Sequence, residues 1–210
     1  MSAAHAGVVR AGVRIEVFTV LWMIVEAAVS LGAGLVAGSI LLTAFGLDSV
    51  IELASGAILL WRLSVDAHGG DHARVVQAER RAAWVVGIAL ALLCVYVLAS
   101  SIYGLVAHAK PEGSPVGIAI SLAALIVMPW LARTKRRLAV QLDNSGALRG
   151  DAASSLTCAY MAGAVLVGLV LNALLHWWWA EDLAALVFLF WLVCETREAL
   201  EEACGGDDDD

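Results

Sequence analysis

Residues 39–56 read Ser39-Ile-Leu-Leu-Thr-Ala-Phe-Gly-Leu-Asp48-Ser-Val-Ile-Glu52-Leu-Ala-Ser-Gly56. The stretch is apolar enough for a bilayer, yet it carries two acids. Their i, i+4 spacing puts both carboxylates on one face of a helix. A carboxylate at membrane depth costs several kcal/mol unless it faces protein, water or a cation. Two on one face also repel each other, so something positive belongs beside them: a metal ion, protons, or an Arg or Lys. No Arg or Lys lies within the stretch. The pair therefore reads as a cation site, with a purely structural polar pair as the weaker reading.

The rest of the chain supports a membrane setting. Of its 210 residues, 61% are hydrophobic and only 16% charged, and the mean hydropathy is +0.83. A soluble domain has no use for that much apolar surface. The expected fold is all-α, an integral membrane bundle of six transmembrane helices. Six apolar runs approach the roughly 20 residues a crossing helix needs, at about 15–37, 39–61, 82–107, 116–132, 150–175 and 179–194. Run one holds Glu26 and the small residues Gly32, Gly34 and Gly38, suited to close helix packing. Trp177, Trp178 and Trp179 form an interfacial aromatic anchor before run six. The division expected is a cytoplasmic N-terminus over 1–14, the six-helix domain over 15–199 and an acidic, disordered tail over 200–210. Met1 to Arg14 lacks a cleavable signal pattern.

Positive charges set the orientation. With both termini inside (N-in, C-in), Arg10, Arg14, Arg62, Arg74, Arg80, Arg81, Arg133, Lys135, Arg136, Arg137, Arg149 and Arg197 all face the cytoplasm. Of the 13 Lys and Arg only Lys110 falls outside, the asymmetry the positive-inside rule demands. The run Arg133–Arg137 is accordingly expected to fix topology and touch anionic lipid, not nucleic acid. The cell (inner or plasma) membrane is the expected location.

Run five begins with a second polar stripe. Asp151, Ser154, Ser155 and Cys158 fall at i, i+3, i+4 and i+7. Run five rises outward while run two descends, so Asp48 and Glu52 can meet Ser154 and Cys158 at similar depth. Carboxylates with a thiolate suit a zinc-like ion, and a hydroxyl holds a water more readily than a metal. Serines in membrane helices also commonly bond backbone or pack. The four cysteines, Cys94, Cys158, Cys194 and Cys204, show no paired spacing and suggest no disulfide framework. No His shares the stripe of Cys158, so nothing marks it as a nucleophile, and an enzyme is not expected.

These stretches resemble the cation diffusion facilitator (cation efflux) transporters. Gly38-Ser-Ile-Leu-Leu-Thr-Ala-Phe-Gly-Leu-Asp-Ser-Val-Ile-Glu52 is similar to that family's second-helix motif, and Ala147-Leu-Arg-Gly-Asp-Ala-Ala-Ser-Ser-Leu-Thr-Cys158 to its fifth-helix motif. Trp179-Ala-Glu-Asp-Leu-Ala-Ala-Leu186 resembles the entry to its sixth helix. The resemblance implies export of a divalent, zinc-like metal by proton antiport, a homodimer formed through the membrane domain, and transport ligands at Asp48 and Glu52. It places the site between the second and fifth helices, completed by Cys158 with Ser154 or Asp151. Ser154 and Cys158 stand where the family carries His and Asp, and Leu183 where it carries Pro. The family's cytoplasmic metal-binding domain has no counterpart here, so the chain resembles a transmembrane-only subgroup. The expected partners are metal, protons and lipid, with no permanently bound cofactor. A scaffold or regulatory protein that keeps the fold without transporting is the alternative.

Further residues have two readings each. Glu26 serves proton or cation passage, or bonds a neighbouring helix. Asp66, His68, Asp71 and His72, in the loop after run two, form a weak metal site or a solvated loop. Asp182 is expected to cap run six, Asn172 to bond between helices and His176 to be structural.

Overall fold

A computed structural model of the chain describes residues 3–67, 72–108, 111–141 and 146–204, with side chains described at 11–54, 56–57, 84–108, 111–141, 151–201 and 204. The described residues form six helices and no strand: α1 Ala3–Ala37, α2 Ile40–Ala67, α3 His72–Ala107, α4 Pro115–Gln141, α5 Gly146–Leu175 and α6 Ala180–Cys204. By length and composition Ala11–Ala37, Trp84–Ala107, Pro115–Gln141 and Asp151–Leu175 can each cross a membrane. The protein is a membrane helical bundle. Several helices run past their apolar runs, because Ala, Arg, Lys, Glu and Gln continue a helix into the polar layer at little cost. Thus α1 extends into the N-terminal segment, and α6 continues through Glu201 to Cys204.

Local chemistry sets the helix starts. Gly38 takes φ +63° between α1 and α2, a left-handed turn that favours glycine. Ser39 then caps α2, its Oγ accepting from Leu42 N at 3.2 Å. Ser114 does the same for α4, accepting from Gly117 N at 3.0 Å, with Pro115 in the first helical position, where a missing N–H costs nothing.

α2 is the inner helix, packing on α1, α3, α5 and α6. Leu41, Leu42, Ala44 and Phe45 have no exposed surface, and they join Met128 and Leu131 of α4, Met161 and Leu169 of α5, and Phe188 and Leu192 of α6 in one core. Leu35, Val36, Val85, Leu92, Val95, Val106 and Phe190 point outward. An apolar exterior around an apolar core is the pattern of a lipid-embedded helix, which needs no polar face.

α1 and α2 touch backbone to backbone at two glycines. A Cβ on Gly34 would stand 2.7 Å from Thr43 N, and one on Gly46 would stand 2.8 Å from Leu31 N. Of the small residues in run one, Gly34 makes the close approach and Gly38 the turn. A Cβ on Gly32 would meet nothing within 4 Å. Gly46→Ala should therefore cost about 1–3 kcal/mol through overpacking, seen as a lower melting temperature in detergent. Gly32→Ala should melt like the parent, and equal melting of the two variants would refute this packing.

Candidate metal centre

Helix geometry brings the interior acids to one depth. At 1.5 Å per residue, Asp48 and Glu52 lie about 12 and 18 Å along α2, and Glu195 about 22 Å along α6. Both helices start on the same side of the bundle. Asp48, Glu52 and Glu195 each offer a carboxylate oxygen, and these oxygens lie within 4.8 Å of one another. Asp48 is 1% exposed. Among the described residues, neither of its oxygens has a hydrogen-bond partner, and the same is true of Glu52 Oε2. Glu52 Oε1 accepts from Ser154 Oγ at 2.9 Å, which joins α2 to α5.

Three carboxylates this close repel one another unless protons or a cation intervene. Among the described residues, the interior ion pairs are those of Lys135, and none includes Asp48, Glu52 or Glu195. Among the described residues, these three acids therefore stand together without a basic partner. Of these three acids, Asp48 and Glu52 are the ones the sequence singles out. Glu195 is not, because the sixth apolar run ends one residue earlier, at Cys194. Counting about 20 residues for a crossing helix from Ala180 would have placed Glu195 inside the span.

Glu26 sits beside this group with its donors in place. Trp22 Nε1 donates to Oε2 at 2.7 Å, and Ser49 Oγ to Oε1 at 2.9 Å. Cys158 Sγ lies 3.6 Å from the same Oε1. Of the two readings of Glu26, the hydrogen bonds to α2 and α5 are present. Ser49 adjoins Asp48 in sequence, so Glu26 and the open acids share one polar interior. The Cys158 thiol is directed at Glu26, and Cys158 is not among the converging ligands.

Asp151 belongs elsewhere. Its Oδ2 lies 2.5 Å from Lys135 Nζ, and Glu16 Oε1 lies 3.6 Å from that same nitrogen. Lys135 also reaches Ser155 Oγ at 3.4 Å. The expectation that the whole Arg133–Arg137 run faces lipid fails at Lys135, which has no exposed surface. The signal was in the sequence: Ala124, Met128, Leu131, Lys135 and Leu138 form the buried stripe of α4. Neighbouring serines of α5 thus serve different clusters, Ser154 the open acids and Ser155 the paired ones.

A third polar knot ties the opposite end. Ser39 Oγ donates to Glu181 Oε2. Asn172 Nδ2 donates to Glu181 Oε1 at 2.7 Å and to Pro111 O at 3.1 Å, so Asn172 does bond between elements. Asp182 does not cap α6. It lies within the first turn, packed against Gly104, where a Cβ would come 2.5 Å from its Oδ1. His176 closes α5 with φ +54°. Of the possible loop site, His68 and Asp71 lie outside the described residues, and at Asp66 and His72 only the helical backbone is described.

An apolar six-helix bundle with an acidic group at mid-depth defines a polytopic membrane protein whose interior could hold a cation. The chain is a member of the cation efflux family, whose transmembrane-domain model matches residues 17–204. It is also 28% identical over 159 residues to a Synechocystis protein named as an uncharacterized transporter, an alignment covering 74% of this chain and 51% of that one. The chain therefore spans about half the length of the curated relative it matches.

Removing Lys135 should expose the cost of the buried ion pair. Lys135→Met would leave Asp151 and Glu16 as uncompensated acids, with an expected loss of about 3–5 kcal/mol. Lys135→Met combined with Asp151→Asn should recover part of it. Unchanged melting of Lys135→Met in detergent would contradict the pairing.

Proposed function

We propose that this protein moves a divalent metal cation across the cell membrane in exchange for protons, with Asp48 and Glu52 of α2 binding the ion. The observation that carries this reading is the pair of unpartnered oxygens on Asp48, buried beside a second acid and away from any described ion pair. Such a carboxylate is costly at membrane depth unless it is neutralised, and a transported cation neutralises it once per cycle. Cation efflux accords with the family; a zinc-like ion and a homodimer in the membrane are what the sequence resemblance implies.

Proton exchange follows from the ligand chemistry. Carboxylates bind metal only when deprotonated, so metal entry releases protons and acid weakens binding. The groups that share the pocket are Glu195, Glu26, Cys158 and Ser154. Transport then requires the ion to be reachable from each side in turn. The knot at Ser39, Asn172 and Glu181 lies toward one end of the bundle and Lys135 with Asp151 and Glu16 toward the other. Rocking helices about the acids would loosen one at a time.

In proteoliposomes, an imposed proton gradient should drive uptake of Zn2+ or Mn2+ by the parent protein, with counterflow of protons. Asp48→Asn should reduce uptake to the level of empty vesicles, and apparent affinity should fall as the pH on the binding side is lowered. Equal uptake by parent and Asp48→Asn would reject the role of Asp48. Absence of any metal binding by the parent would favour a scaffold that keeps the fold.

A further inference from the structure

We propose that Glu195 of α6 is the third ligand of the transported ion, which is then held between α2 and α6 by carboxylate oxygens alone. This donor set makes the protein a carrier of oxygen-preferring divalent cations of the Mn2+ kind, without the strong zinc preference that nitrogen or sulfur ligands confer. The proposal rests on the transport reading above and specifies its ligands and substrate class.

Three observations support it. The first is convergence: oxygens of Asp48, Glu52 and Glu195 lie within 4.8 Å of one another, from two helices that start on the same side. The second is an open valence. Both oxygens of Asp48 and Oε2 of Glu52 are buried without a hydrogen-bond partner. Buried polar atoms in native proteins are almost always satisfied, and three such atoms on adjacent acids call for protons or a cation where no described residue partners them. The third is the disposition of α5. Ser154 donates to Glu52 and thereby positions a ligand. The Cys158 thiol lies against the carboxylates of Glu26 and Glu52 and is not one of the three converging donors. Both residues act on carboxylates, and the three converging donor atoms are all oxygen.

The choice of ion follows from the donors. Imidazole and thiolate suit zinc, whereas carboxylate, carbonyl and water suit Mg2+, Ca2+ and Mn2+. Mg2+ sheds its waters reluctantly and usually keeps several, which fits poorly with three protein carboxylates converging on one ion. Mn2+ is the probe of choice, since carboxylates suit it and its paramagnetism reports binding directly. Three carboxylates around one divalent ion leave a single residual negative charge, which one proton cancels. Glu26, already bonded to Trp22 and Ser49, is not required as a ligand.

The test uses the full chain in detergent or nanodiscs. Mn2+ binding is read from loss of the free-ion paramagnetic signal, and Zn2+ binding from calorimetry. The parent should bind the two ions with affinities within about tenfold, a gap of about 1.4 kcal/mol. Glu195→Gln should weaken Mn2+ binding as much as Asp48→Asn does, whereas Cys158→Ala should weaken it far less than either. Glu195→Asp, which keeps the carboxylate, should retain part of the affinity. X-ray absorption on the zinc-loaded parent needs no variant and should show oxygen neighbours with no sulfur shell at about 2.3 Å. Parental affinity in Glu195→Gln, with loss in Asp48→Asn, would overturn the α6 ligand and leave the transport reading standing. A sulfur shell, or a zinc preference abolished by Cys158→Ala, would overturn the oxygen-only site. Failure of the parent to bind either ion would overturn both.

Discussion

An ionised carboxylate in the interior of a bilayer must meet a donor, a proton or a cation, since water is scarce and the dielectric low. Asp48 is placed where that demand is strictest: it is 1% exposed and neither oxygen has a partner. The surrounding architecture is shaped by this constraint. α2 is enclosed by α1, α3, α5 and α6, so its acids face protein and not lipid. Glycine at positions 34 and 46 lets α1 and α2 close to backbone contact. That approach accompanies the bonds from Trp22 and Ser49 to Glu26 and the bond from Ser154 to Glu52.

The interior acids separate into three environments. Asp151 and Glu16 share the buried ammonium of Lys135. Glu181 and Glu26 are held by hydroxyl, amide, indole and thiol groups. Asp48, with Glu52 and Glu195 beside it, keeps open oxygens. Removing one partner of a satisfied buried pair costs the full desolvation of the other, so the first two sets act as fixed points of the bundle. In the proposed transport cycle the third set is the one that gains and loses a cation. That division separates the acids that hold the bundle together from those the proposal assigns to the ion.

Much of this was legible from residues alone. The i, i+4 spacing of Asp48 and Glu52 inside an apolar run fixes both the helix and its acidic face, and the stripe from Asp151 to Cys158 marks α5 as polar toward its start. What the sequence could not supply was rotation and ownership. Asp151 and Ser154 share a stripe, but one turn of helix separates an acid that reaches Lys135 from a hydroxyl that reaches Glu52. Lys135 looked like a topology signal because it sits among Arg133, Arg136 and Arg137, and only its register with Leu131 and Leu138 shows it buried. Glu195 was hidden by composition: beside Arg197 and Glu198 it resembles a solvated helix end, yet α6 continues to Cys204 and carries it at the depth of Glu52.

The central claim is that the open acids at mid-depth form the ion site. Anomalous diffraction from crystals of the full chain grown with Mn2+ tests it most directly. The account predicts a peak in the protein interior within bonding distance of carboxylate oxygens of Asp48 and Glu52. A well-occupied peak elsewhere in the membrane domain, with those oxygens bonded to protein donors or to an arginine, would contradict it.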